Sequence, residues 1–76
     1  MPTVYNQDGF RFVIYFNDHE PAHVHVFKSG ETVIVFEERS YIRENRGMSR
    51  RDERKALIIT AENQEYLLER WNEING

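Results

Sequence analysis

The run Asp18-His19-Glu20-Pro21-Ala22-His23-Val24-His25-Val26 holds all three histidines of the chain and one of its two prolines. It decides the fold because it changes character midway. Asp18 to Pro21 is polar and ends in a residue without an N–H, which suits a strand start or edge rather than the middle of a ladder. From Ala22 the pattern alternates. Ala22, Val24 and Val26 share one face of a strand, and His23, His25 and Phe27 share the other. On this reading the imidazoles turn away from whatever covers the valine face and stay accessible outside the hydrophobic interior.

The flanking segments supply strand partners. Upstream, Phe10 to Phe16 alternates, with Phe10, Phe12, Ile14 and Phe16 on one face and Arg11, Val13 and Tyr15 on the other. Thr3 to Tyr5 precedes it, joined through Asn6-Gln7-Asp8-Gly9, whose glycine tolerates the positive φ of a tight hairpin. Downstream, Lys28-Ser29-Gly30-Glu31 turns the chain into Thr32 to Phe36, apolar on both faces as a central strand should be. Glu37 to Gly47 is polar and reads as a connection anchored by Tyr41 and Ile42. Ser49, with Asp52 three residues on, carries a capping-box pattern and starts a helix. No Gly or Pro interrupts the sequence from there to Asn75. A helix of that length runs about 40 Å, long for so small a domain, and Glu62-Asn63 is the point where it would kink. The expected architecture is α+β: a small antiparallel sheet of three to four strands in β-β-β-β-α order, packed on one long C-terminal helix.

On the helix, Leu57, Ala61, Gln64, Leu68 and Trp71 form a stripe, flanked by Leu67 and Ile74, that should cover the sheet. Ile59 and Tyr66 fall opposite. With Val13 and Tyr15 on the far face of the sheet, they predict an apolar contact surface for a second protein chain, either a copy of this one or another partner.

Seventy-six residues make a single domain, residues 1–76, near the lower limit for a self-sufficient core. The absence of cysteine excludes disulfides and thiolate metal sites and suggests the cytoplasm. No apolar run has the roughly 18 residues of a membrane span, and Met1-Pro2-Thr3-Val4-Tyr5 lacks the pattern of a signal peptide. The net charge of −3 is uneven. Between Arg39 and Lys55 seven basic residues face three acids, a local +4 in a chain whose remainder is acidic. Arg46, Arg50, Arg51 and Arg54 are therefore candidate anion contacts. The acidic remainder disfavours a general nucleic-acid binder, because phosphate contacts dominate such affinity.

Several of these segments together carry a family resemblance. They are Pro2-Thr3-Val4, Phe10-Arg11-Phe12, Asn17 to Val26, Glu44-Asn45-Arg46-Gly47, Ser49-Arg50-Arg51, and the tail Glu62-Asn63-Gln64 to Trp71-Asn72-Glu73. The chain resembles, nearly end to end, the bacterial family known as domain of unknown function 4160. The resemblance implies a small single-domain protein, often encoded beside a domain of unknown function 2442 protein in a layout like a toxin–antitoxin pair. The resemblance implies a protein partner, which makes a heteromer with that neighbour the alternative to the homodimer that the apolar surface suggests; it transfers no catalytic residue.

The histidines allow two chemistries. His23 and His25 project from one strand face about 6–7 Å apart along the chain, and imidazoles so spaced can share a Zn²⁺ or similar ion. His19, His23 and His25 form the expected ligand set, with Asp18, Glu20 and Glu37 as further donors in reach. Alternatively, His23 or His25 acts as general acid–base, since imidazole titrates near neutrality. Arg11 or Arg46 would then hold a phosphate and Tyr15 orient it, giving metal-independent RNA cleavage.

Overall fold

The computed structural model describes residues 3–76; Met1 and Pro2, and with them the first residue of the Pro2-Thr3-Val4 opening, lie outside the described residues. Five strands follow one another: β1 (Thr3–Gln7), β2 (Phe10–Val13), β3 (His23–Phe27), β4 (Glu31–Phe36) and β5 (Ser40–Arg46). Each pairs antiparallel with its neighbour in sequence, so the sheet is a meander in the order β1-β2-β3-β4-β5. Two helices complete the chain, α1 (Arg50–Glu62) and α2 (Gln64–Asn75). The class is α+β as the pattern predicts, but with five strands instead of three to four and two helices instead of one.

The β1–β2 hairpin turns on Asp8 and Gly9, with φ of 53° and 84°, the two left-handed residues that a type I′ turn requires. The β3–β4 turn uses Gly30 because the chain passes so close behind it. A Cβ there would lie 2.6 Å from the backbone of Gly47 and Met48. β2 ends at Val13 although the alternation continues to Phe16. Ile14 still enters the core, but Phe16 is 72% exposed and Asn17 reverses the chain with φ of 63°.

β5 is the strand missed by its composition. It lies at the sheet edge, with Arg43, Glu44 and Arg46 exposed, Ser40 buried and Ile42 partly buried against the core. An edge strand needs few apolar residues and gains from charges that discourage further pairing. Tyr41, expected as an anchor, points outward.

The core lies between one sheet face and the helices. Phe10, Phe12, Ile14, Val24, Val26 and Ile34 are fully buried there against Ala56, Ile59, Leu67 and Trp71. Ser49 caps α1, its Oγ accepting the Asp52 N–H at 3.1 Å. A straight helix over Arg50–Asn75 would be about 39 Å long, beyond the 32 Å longest dimension of the molecule. The chain breaks at Asn63 (φ −117°, ψ 18°), whose Nδ2 donates to Ile59 O at 2.8 Å across the break.

This break accompanies a different buried stripe. Ala56, Ile59 and Thr60 of α1 continue into Leu67 and Trp71 of α2. Leu57 and Leu68 become partly buried flanks, and Ala61 is exposed. Two of the four residues expected to form a partner surface are therefore buried inside the fold, while Tyr66 keeps 43% of its surface exposed. Ile59 is 2% exposed and Val13 fully buried. Tyr66 donates its hydroxyl to Val4 O at 3.1 Å and packs beside Tyr5. Tyr15, the fourth, is half-buried against His25. On the helices, Ile58 is exposed as well as Tyr66. The far sheet face is also covered, since Val13, Val33 and Val35 are buried across the strands from His23 and His25.

Candidate metal centre

The start of β3 brings His23 and His25 onto one face, with Val24 and Val26 on the other as alternation predicts. The expectation that both rings are accessible does not hold for His23. It is 5% exposed, and its ring lies 5.0 Å from the indole of Trp71. α2 reaches past the end of the sheet and walls that side. His25 is half-buried, with the Tyr15 ring edge-on at 4.7 Å.

Both imidazoles are oriented through Nδ1. His23 Nδ1 is 2.8 Å from Pro21 O, and His25 Nδ1 is 2.7 Å from a Glu31 carboxylate oxygen. A carbonyl and a carboxylate can only accept, so both Nδ1 atoms carry the hydrogen. In a neutral ring anchored in this way the lone pair lies on Nε2. Both lone pairs face Asp18 Oδ2, at 2.9 Å from His23 and 3.6 Å from His25. The donor atoms of Asp18, His23 and His25 all lie within 4.8 Å of one another. Three electron-rich atoms converging in a half-buried site repel unless a positive charge sits among them. A proton can supply it, as an imidazolium; so can a metal ion. Ligands of one tetrahedral Zn²⁺ at 2.0–2.2 Å stand about 3.4 Å apart, close to the Asp18–histidine separations here.

Asp18 is held by its own connection. Asn17 turns the chain so that the Asp18 carboxylate points into the histidines while His19 and Glu20 stay exposed. The second Asp18 oxygen accepts the His19 N–H at 3.0 Å. Of the expected set His19, His23 and His25, the structure brings the two strand histidines together with Asp18, while His19 is exposed. Glu37 is exposed, on the far end of β4, and takes no part.

Glu31 is the residue that sequence reading missed. It opens β4 opposite Phe27, on the same sheet face as His25, and so reaches His25 diagonally. Assigning it to the turn hid this. Its other oxygen is 3.5 Å from Arg46, which in turn pairs with Glu44 at 2.7 Å. The hydrogen bond to Arg46 holds the Glu44 carboxyl below its usual range, and Glu44 raises the guanidinium. Both groups are exposed, so this pair contributes little to stability.

The phosphate-clamp reading loses its convergence. Arg11 lies over the Phe27 ring at 5.0 Å and near Thr3, and Arg46 is engaged by two carboxylates. Arg50, Arg51 and Arg54 are exposed at the start of α1. Arg51 and Arg54, with Lys55, line a cavity of about 420 Å³ beside the β1–β2 turn, floored by Ile58 and Ile59. Asp18 and the histidines lie elsewhere, so the basic segment and the histidine cluster are separate features. Among the described residues no helix is long and apolar enough to cross a membrane.

No curated protein and no solved structure matches the chain at a significant level. One family profile does: that described as Domain of unknown function (DUF4160) matches residues 9–72, from the start of β2 into the last turns of α2. Because that span includes Asp18, both strand histidines, Glu31 and Trp71, the site is built wholly from the matched region, and the chain belongs to this family.

Proposed function

We propose that the domain binds one divalent first-row metal ion, Zn²⁺ foremost, through His23 Nε2, His25 Nε2 and the Asp18 carboxylate. The observation that carries this reading is the convergence of both Nε2 atoms on Asp18 while both Nδ1 atoms are anchored. Metal-binding histidines characteristically donate the other ring N–H to a carboxylate or a backbone carbonyl, and here one does each. Two imidazoles and one carboxylate suit Zn²⁺ or Fe²⁺ and leave at least one position for water or substrate. When bound, such an ion lowers the pKa of its water and makes a nucleophile at neutral pH. The chain's own contribution is to fix the donors and to wall one side with Trp71.

The test is a Zn²⁺ or Co²⁺ titration of protein purified without an affinity tag, with elemental analysis of the protein as isolated. One ion per chain is expected, with affinity falling at least about 100-fold in Asp18→Ala and in His25→Ala. A wild-type chain that takes up no stoichiometric ion refutes the reading. So does one whose affinity survives both substitutions.

The family resemblance carries a second reading, an interaction component of a bacterial toxin–antitoxin-like module in the cytoplasm. Phe16 and Ile58, 72% and 52% exposed, support it, but singly exposed apolar side chains are ordinary. Mass measurement with and without the neighbouring gene product tests it. A chain that stays monomeric in both conditions removes it.

A further inference from the structure

The geometry points to Asn75, the last residue of α2, as the positioning residue that sets the Asp18 ligand; this inference rests on the metal-binding reading above. Asp18 sits on the only ligand-bearing segment without strand pairing, the connection between β2 and β3. A ligand on such a segment must be held by something else. The Asn75 side chain does this with both ends of its amide. Its Oδ1 accepts the Asp18 N–H at 2.9 Å, and its Nδ2 donates to Tyr15 O at 3.0 Å. One planar group thus bridges a backbone donor and a backbone acceptor three residues apart, using the separate acceptor and donor atoms of a side-chain amide.

Trp71 lies one helical turn before Asn75, on the same side of α2. It packs against the ring of His23 while Asn75 grips the connection that carries Asp18. One face of α2 therefore touches two of the three proposed ligands or their supports. The helix is a separate piece, divided from α1 at Asn63. Docking of α2 and assembly of the centre are then one event. Metal binding should tighten α2, and loosening Asn75 should cost affinity without removing a ligand.

The test compares two α2 variants in the full chain by Co²⁺ and Zn²⁺ titration. Asn75→Ala deletes the bridge. Asn72→Gly weakens the helix at an exposed position that makes no side-chain contact with the connection. Asn75→Ala is expected to lose about 10–100-fold in affinity, as supporting partners of metal ligands do. Its Co²⁺ visible spectrum should also change, because the carboxylate no longer sits in register with the imidazoles. Asn72→Gly should lose less than about threefold and keep the wild-type spectrum, since an exposed Gly acts only through helix propensity. If Asn75→Ala unfolds, Asn75→Leu gives the same comparison, since it removes both polar ends of the bridge at similar volume and without adding charge. Wild-type affinity and spectrum in the Asn75 variants overturn the positioning role alone. An equal loss in Asn72→Gly does so too. A wild-type chain that binds neither ion overturns the centre itself.

Discussion

Two regions of this domain concentrate charged and titratable side chains, and they differ in kind. At the start of β3, Asp18, His23 and His25 converge within 4.8 Å, half-buried or buried, each tied to a named acceptor or donor. At the start of α1, Arg50, Arg51 and Arg54 stand out in the composition, yet all three are exposed. The comparison separates density in sequence from convergence in space. Seven cations within the seventeen positions from Arg39 to Lys55 make a conspicuous charge run but only a weakly defined site. Two imidazoles and one carboxylate make a site because strand pairing, a turn and a helix end force their lone pairs together.

The largest effect should come from the wall of the histidine site. Trp71 is 2% exposed and belongs both to the core and to the surroundings of His23. Trp71→Ala should cost about 3–5 kcal/mol, a large share of the stability of a domain this small. Chemical denaturation followed by circular dichroism measures it. A loss under about 1 kcal/mol would mean that the indole is not structural and that the two regions differ less than their burial suggests.

What could be read from the sequence follows the same division. β2, β3 and β4 were legible because one or both of their faces are buried, so alternation or a continuous apolar run marks them. β5 was not, because an edge strand with Ser40 and Ile42 as its only inward residues resembles a polar loop. The helix phase failed because two stripes cross at Trp71. The one through Leu57 and Leu68 is richer in leucine, whereas the buried one passes through Ala56, Ile59 and Thr60. His23 and His25 were legible as a pair on one strand face. The carboxylate that joins them was not, because His19 is the better donor by residue type, while Asn17 turns Asp18 inward instead. Nothing in spacing could bring Asn75 to Asp18 across 57 positions.

The same substitution made at the support of the histidine site and at an exposed ion pair on β5 sharpens the contrast. Glu31→Gln keeps the shape that receives His25 Nδ1–H but removes the charge behind it, and should weaken metal binding about 10-fold. Glu44→Gln breaks the exposed pair with Arg46 and should leave metal affinity unchanged. The Glu44 carboxyl is held low by Arg46. Its small stabilising effect is therefore present above the ordinary carboxylate range and lost as pH falls through the lowered value. Equal metal losses in the two variants would show that the titration reads overall charge and not the support of His25.

Thr60→Val probes the core that the two regions share. Thr60 Oγ1 is buried in α1 without a hydrogen-bond partner, and an unsatisfied buried hydroxyl costs about 1–3 kcal/mol relative to a paired one. Replacing it with a methyl of similar volume should be neutral or raise stability by up to about 1 kcal/mol. A clear loss would place an unrecognised partner at that hydroxyl.

The smallest effect should be Arg51→Glu. The first turn of a helix carries partial positive charge, so a cation there is unfavourable and an anion favourable by about 0.3–1 kcal/mol at low salt. Asp52 and Glu53 already occupy that turn, which reduces what a further carboxylate can add. The expected gain is a few tenths of a kcal/mol, or about 1–3 °C in Tm for a domain of this size, and it should fade in high salt. Metal affinity should not move, because Arg51 is no part of the histidine site. If Arg51→Glu instead destabilises the domain or changes metal binding, the basic turn engages something inside the fold. The line drawn here between an exposed charge run and a convergent site would then have to be redrawn around it.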